Sequence, residues 1–188
     1  MQHRNSQKRD YSENNVYFVT ANCFETFCYF QENIFCEIFI QDLKIAKELK
    51  EFKLCGFCLN YNHIHLLVHP SNKFNVSEIM QNIKRTCSLH TNQIISGNLS
   101  VSDNIYCSLQ RDFFVQMRNR FIQKYGPNQV KFPKFKWQKS FHDHIIKNSI
   151  DFENHNKYTI FNFQKHNLPE NWKYTSLNYS EMIDGIEL

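Results

Sequence analysis

Two hydrophobic periodicities alternate along this chain in an order that few folds satisfy. Residues 16–23 (VYFVTANC) are β-branched and aromatic and read as a strand. Over 37–52, Phe39, Leu43, Ala46 and Leu49 recur at helical spacing among Lys and Glu residues. Residues 53–60 and 63–69 are strand-like runs flanking a Tyr61-Asn62 turn. Asn75 with Glu78 three positions later is a helix-start signature; Ile79, Ile83 and Cys87 line one face behind it, with Lys84 and Arg85 off that face. Residues 141–146 read as another strand, and 148 to about 167 as a helix. Strand–helix–strand–strand–helix–strand predicts an α+β fold: a ferredoxin-like antiparallel sheet with helices on one face, followed by one extra C-terminal helix.

The rest of the chain is less regular. Residues 1–14 are polar and charged and read as a loose arm, and 168–188 lack periodicity. Between 96 and 133 lies a Ser/Asn-rich loop, then a helix over 112–125 carrying Arg118, Arg120 and Lys124 just after Arg111, then Gly126-Pro127 as a breaker. We read this stretch as an insertion within a single domain spanning 1–188, a length ordinary for one domain. Only four glycines are present (Gly56, Gly97, Gly126 and Gly185), too scattered for a P-loop or a dinucleotide-binding turn. Seven cysteines form no regular framework, the basic start leads into no apolar signal segment, and no run nears the ~18 apolar residues of a membrane span. Reduced thiols in a cytoplasmic protein are therefore expected, with no membrane partner. A net charge of +4 permits a polyanionic partner without requiring one.

Four constellations carry chemistry. In Asn62-His-Ile-His-Leu-Leu-Val-His69, strand alternation sends Ile64, Leu66 and Val68 to one side and His63 and His65 together to the other. Two imidazoles one pleat apart either grip one cation or form the polar face of a partly exposed strand. On the late helix Asp151, His155, Tyr158, Asn162 and Lys165 fall at spacings of four, three, four and three, a polar stripe opposite Phe152, Ile160 and Phe163. That stripe is either a nucleophile beside a metal ligand or one side of an ordinary amphipathic helix. Cations interleave with aromatics from Lys131 through Trp137 to Lys139, then at Lys147 and at Trp172-Lys-Tyr174, a pattern for base stacking and phosphate contact or for a loop anchored to the core. Cys55-Gly-Phe-Cys58 invites a zinc reading with His63 and His65, but the gap between the pairs is short, and residues three apart on a strand face opposite sides. Buried inert thiols are the simpler reading.

Taken in order, the Val-Tyr-Phe-Val-Thr strand, the Leu-Asn-Tyr-Asn-His-Ile-His-Leu-Leu-Val segment and the Ile-Met-Gln-Asn-Ile-Lys-Arg helix resemble the REP-associated tyrosine transposases. So do Trp137-Gln-Lys-Ser-Phe-His-Asp-His144 and the stretch from Tyr158 to His166. These are single-tyrosine transposases of the IS200-like superfamily, with a His-hydrophobic-His motif. The resemblance runs over about 15–95 and 135–180. It implies a metal-binding pair at His63 and His65, a nucleophile at Tyr158, and a third, amide ligand at Asn162. Trp172, Tyr174 and Ser176 fall in the aromatic-serine stretch that follows the catalytic helix. The chain departs from the family in reading Asn162-Phe-Gln-Lys-His-Asn167 where Asn-Pro-Val-Lys-His/Ala-Gly is common, and in having Tyr61 where a Pro usually stands.

The activity so implied is a metal-dependent single-stranded DNA endonuclease and strand transferase. It would cut near hairpins through a covalent 5′-phosphotyrosine, with Mg²⁺ or Mn²⁺ held by His63, His65 and Asn162. Imidazole donors favour Mn²⁺ over Mg²⁺. The linkage conserves the phosphodiester bond, so no nucleotide cofactor is needed, in keeping with the missing glycine loop. Nucleic-acid contacts are expected from Lys84, Arg85, Trp137, Lys139, Lys147, Lys165 and Trp172, to a single-stranded or hairpin DNA, by a monomer or homodimer. The alternative is a non-catalytic, hairpin-DNA-binding regulator derived from a transposase.

Overall fold

The computed structural model describes residues 15–97 and 108–186; the arm at 1–14 and most of the Ser/Asn-rich loop lie outside the described residues. Strands β1 (Tyr17–Asn22), β2 (Lys53–Leu59), β3 (His63–His69) and β4 (His142–Ile145) form one sheet in the order β2-β3-β1-β4, with every neighbouring pair antiparallel. Helix α1 (Asn33–Lys50) joins β1 to β2, and α2 (Val76–Ser96) leads from β3 toward β4. This is the ferredoxin-like α+β arrangement expected from the order of elements. A further helix, α3 (Ser108–Tyr125), precedes β4; α4 (Ser149–Ile160) and a short α5 (Asn162–Lys165) follow it.

Alternation sorts the strands' side chains. Tyr17, Val19 and Ala21 of β1 and Ile64, Leu66 and Val68 of β3 are buried toward α1 and α2, in a core rich in aromatics such as Phe30, Phe35, Phe39, Phe57, Phe121 and Phe135. Helix α2 starts where the sequence signals it: Asn75 Oδ1 accepts from Glu78 N at 3.1 Å, and Glu78 Oε2 accepts from Asn75 N at 2.9 Å. It ends at Gly97, whose φ of 82° suits glycine; a Cβ there would lie 2.5 Å from Arg118 Nη2. That close approach lets Arg118 of α3 donate to the Ile94 carbonyl, while Arg120 pairs with Glu37 of α1 at 2.5 and 3.0 Å. Helix α3 is thus seated on both α1 and α2.

The opposite face of the sheet carries a small apolar cluster of Val16, Cys55, Leu67 and Ile146, with Phe18 and Phe152 against it. Helix α4 packs there over β2 and β3. Gly56 permits the approach, since a Cβ at that position would sit 2.9 Å from Asn156 Oδ1 of α4. An irregularity between Leu54 and Gly56 resets the pleat, so Leu54 pairs with Val68 while Gly56 pairs with Leu67. The simple alternation expected for Cys55 and Cys58 therefore fails: Cys55 joins the cluster beside Leu67, and Cys58 stands opposite His65 in register.

After α5 the chain returns along the outer edge of β2. Trp172 Nε1 donates to the Leu59 carbonyl at 2.7 Å, and Leu59 N donates to the Tyr174 carbonyl at 2.9 Å. Ser176 Oγ meets both Phe57 N (2.5 Å) and Phe57 O (2.9 Å). Asp184 closes the series by accepting from Leu54 N at 2.8 Å and donating its own N–H to the Leu54 carbonyl at 2.8 Å. The segment without periodicity in sequence thus covers a sheet edge.

Candidate active site

His63 and His65 project together from β3 toward α4 and α5, as strand alternation requires, and both are buried. Asn62 Oδ1 lies 2.7 Å from His63 Nδ1; since the amide oxygen only accepts, Nδ1 carries the proton and Nε2 the lone pair. Asn60 Nδ2 donates toward that Nε2 at 3.1 Å and to Asn162 Oδ1 at 2.9 Å. His65 Nδ1 is 2.8 Å from Thr20 Oγ1, its register partner on β1, and its Nε2 is buried with no hydrogen-bond partner. Burial holds His63 down to about 4, with the nearby His166 adding to the effect, and holds His65 down to about 3, with His63 adding. Both rings are therefore neutral imidazoles at ordinary pH, the form that binds metal.

Helix α4 brings the polar stripe to the same place. Asn148 caps it, its Oδ1 accepting from Asp151 N at 2.9 Å. The Tyr158 ring lies 5.4 Å from the His65 ring and 5.8 Å from Phe18, both edge-on, with the residue about two-fifths exposed. Lys165 Nζ stands 4.9 Å from the centre of that ring. Tyr158 borders two grooves: one of about 340 Å³ with Phe18, Thr20, His65, Asn154 and His155, and one of about 270 Å³ with Asn154, Lys157, Phe161, Asn162 and Lys165. It forms the ridge between them.

The single helix expected to about 167 breaks at Phe161 (φ −100°, ψ 13°). There Thr175 Oγ1 donates to the Ile160 carbonyl at 2.7 Å, diverting an acceptor that would otherwise continue the ladder. The break turns Asn162 inward: it is about 1 % exposed, and its Nδ2 is buried without a partner. Past it His166 stacks edge-on to His63, with ring centres 4.6 Å apart. The ligand nitrogens of His63, His65 and His166 all lie within 4.8 Å of one another. Unpartnered His65 Nε2, a lone pair on His63 Nε2 and a third imidazole at the rim fit a divalent cation. Asn162 Oδ1, which accepts from one donor and has a second lone pair, fits as an oxygen ligand.

Two contributors escaped the sequence reading. Asn60 joins His63 to Asn162, and its only signal was an amide three residues before the first histidine. His166 follows Asn162 by four residues, helical spacing that places it on the same side. Other expectations need correcting. Trp137 and Trp172 are about 8 % exposed and packed within the main aromatic core, so neither offers an open face for stacking a base. Lys84 spends its ammonium on the carbonyls of Gln138, Lys139 and Ser140, at 2.7, 3.3 and 3.2 Å, tying α2 to the segment before β4. Arg85, Lys139, Lys147 and Lys165 are exposed cations. Cys55 and Cys58 do not join the histidines: among the described residues, the clusters able to hold an ion are His63, His65 and His166, and His144, Asp151 and His155. Burial pushes both thiols up to about 12.

Residues 29–106 match the family described as transposase, IS200-like. The chain resembles an IS200-like transposase. The match takes in His63, His65, Lys84 and Arg85 and ends before α4. No curated protein matches the sequence. Among solved structures, one of a REP-associated tyrosine transposase bound to a REP hairpin superposes with a TM-score of 0.58 at 16% identity, over 94% of this chain and 84% of that one. That likeness is one of fold, and it agrees with the four-stranded antiparallel sheet and its helices. A putative transposase from Deinococcus radiodurans aligns at 9% identity and a TM-score of 0.46, over 87% of this chain and 98% of that one. No helix among the described residues is long and apolar enough to cross a membrane.

Proposed function

We propose that the protein is a metal-dependent, single-stranded DNA endonuclease and strand transferase of the IS200-like type, acting from the cytoplasm as one domain with an insertion at 96–133. The observation that carries this reading is the meeting, within one chain, of the exposed Tyr158 with the buried His63–His65 pair, their rings 5.4 Å apart at His65. Tyr158 Oη is the nucleophile. It attacks a backbone phosphorus in line; the P–O3′ bond breaks, and the phenol proton is lost to water as the leaving 3′-oxygen takes one up. The products are a free 3′-OH and a 5′-phosphotyrosine. Attack of a second 3′-OH on that phosphorus reverses the sequence and joins new ends, with no external energy source.

His63, His65 and an oxygen or nitrogen from Asn162 or His166 would hold the cation, Mg²⁺ or Mn²⁺. When bound, it polarises the scissile phosphate and offsets charge in the transition state. Asn62 and Thr20, on the Nδ1 atoms of His63 and His65, hold the two imidazoles in orientation, as partners of metal ligands commonly do. Lys165, above the tyrosine ring, supplies positive charge beside the phenol and the incoming phosphate. The grooves on either side of Tyr158 are open, which suits an unpaired strand. The fold relative solved with a REP hairpin supports hairpin DNA with a single-stranded flank as the partner. Arg85, Lys139 and Lys147 remain as phosphate contacts.

The test is covalent capture. Wild-type protein, hairpin oligonucleotides with unpaired flanks and Mn²⁺ are expected to give an SDS-resistant adduct, which Tyr158→Phe abolishes while leaving hairpin binding intact. An undiminished adduct in that variant removes Tyr158 from the role. Hairpin binding that ignores chelator, with no adduct on any substrate, supports the non-catalytic regulator instead.

A further inference from the structure

A second group of metal-binding side chains lies outside the site just described. His144 comes from β4, and Asp151 and His155 from the first two turns of α4. His144 Nε2 is 3.0 Å from Asp151 Oδ2, and His155 Nδ1 is 2.9 Å from Asp151 Oδ1. The two imidazoles stack nearly parallel, with centres 4.6 Å apart and an interplanar angle of 18°. Both rings thus aim a nitrogen at one carboxylate, each at its own oxygen, and the ligand atoms of all three residues lie within 4.8 Å of one another. Without a cation, His155 Nδ1 also donates to the Asp151 carbonyl of its own helix at 2.9 Å, so this nitrogen carries the ring proton and must pass it to Nε2 for the ring to act as a ligand there; Asp151 Oδ2 also accepts from Lys147 N at 2.9 Å.

We propose that His144, Asp151 and His155 form a second cation site, for one Zn²⁺-class divalent ion. Two imidazoles and a carboxylate are a common three-ligand set for such an ion, with water completing the tetrahedron. All three side chains are partly exposed, giving both an entry path and room for that water. The cation takes the place of the hydrogen on each carboxylate-facing nitrogen, and a neutral imidazole accommodates it by carrying its proton on the other ring nitrogen. The site is distinct from the His63 centre. The Phe18 ring stands between them, stacked on His65 at 5.3 Å and tilted against His155 at 4.9 Å. Its position defines its role. It joins β4 to the helix that carries Tyr158 three residues beyond His155, and so pins that helix to the sheet.

Cobalt titration of the full-length, metal-free protein tests this, read by equilibrium dialysis and by the visible ligand-field bands of Co²⁺. A His63→Gln/His65→Gln variant is expected to retain one equivalent of Co²⁺ per chain, with the intense absorption of a tetrahedral site. Adding His144→Gln and His155→Gln is expected to remove it. Zn²⁺ should raise the melting temperature of the first variant and leave that of the fourfold variant unchanged. Circular dichroism of each variant confirms the fold. No bound Co²⁺ in a folded His63→Gln/His65→Gln variant overturns the proposal and leaves the cluster as a hydrogen-bonded clamp. Undiminished binding in the folded fourfold variant overturns it equally. Since no DNA enters the measurement, its result stands apart from that of covalent capture.

Discussion

On β3, Ile64, Leu66 and Val68 alternate with His63, His65 and Leu67, so adjacent residues of one strand line two unlike faces. The face toward α1 and α2 is built from aliphatic and aromatic side chains that fill one another's spaces. The face toward α4 has only a small apolar cluster, and next to it the buried His65 Nε2 and Asn162 Nδ2 lack partners. Withholding partners from buried polar atoms costs stability, commonly about 1–3 kcal/mol each. Such an expense is tolerable only because the other face supplies a full core. The contrast teaches a division of labour at single-residue resolution: one face holds the fold, and the other leaves buried polar atoms unengaged.

The largest effect that would break this contrast is on chemistry alone. Tyr158→Phe is expected to eliminate the covalent adduct while changing unfolding free energy by no more than ~0.5 kcal/mol, as for other surface substitutions. A large loss of stability in urea would mean that the tyrosine serves the fold. Next comes its mirror image: Leu66→Ala, on the closed face beside His65, should cost about 2–5 kcal/mol in the same urea titration. A cost below that range would show the closed face to be less tightly packed than its burial indicates.

A smaller effect follows from the depressed histidines. Burial places His63 at about 4 and His65 at about 3, against 6.5 when unfolded, so below pH 6.5 the unfolded chain takes up protons that the folded chain refuses. Stability in chelator should therefore fall as pH drops from 6.5 toward 4, and fall less steeply in His63→Gln/His65→Gln. Equal slopes in the two proteins would contradict the burial of these rings. The least is expected from the rim of the site. His166→Ala should weaken Mn²⁺ binding by roughly tenfold in calorimetry, the scale on which supporting groups of metal sites act. Unchanged affinity would leave Asn162 as the sole partner of the histidine pair.

Much of this was legible in sequence because alternation and helical spacing are local. The Asn75–Glu78 box announced α2 to the residue, and the His63–His65 pair declared its shared side through the period of the pleat. What stayed hidden depended on distant partners. Gly56 is the one sign beside Cys55 that the pleat is reset there, and the irregularity itself exists only relative to β3. Trp137 and Trp172 sit among lysines and read as surface residues, yet each ring finds the core while the lysines reach solvent. The break at Phe161 depends on a hydroxyl fourteen positions further on, that of Thr175. His166 was within reach of spacing arguments, but only after the break had turned Asn162 inward does its position matter.

The segment returning along β2 also sets how the molecule would yield to a pull. Load applied at its C-terminal end meets the Asp184 pair first, then the Ser176 pair at Phe57, then the Trp172 bond to Leu59. These attachments run along the strand edge and are met one after another, the geometry of a zipper rather than of bonds loaded all at once. Before the Trp172 bond is reached, tension meets the Thr175 bond to Ile160, and through it the helix bearing Tyr158. The edge strip therefore couples a pull on this end of the chain to the helix that carries the candidate nucleophile.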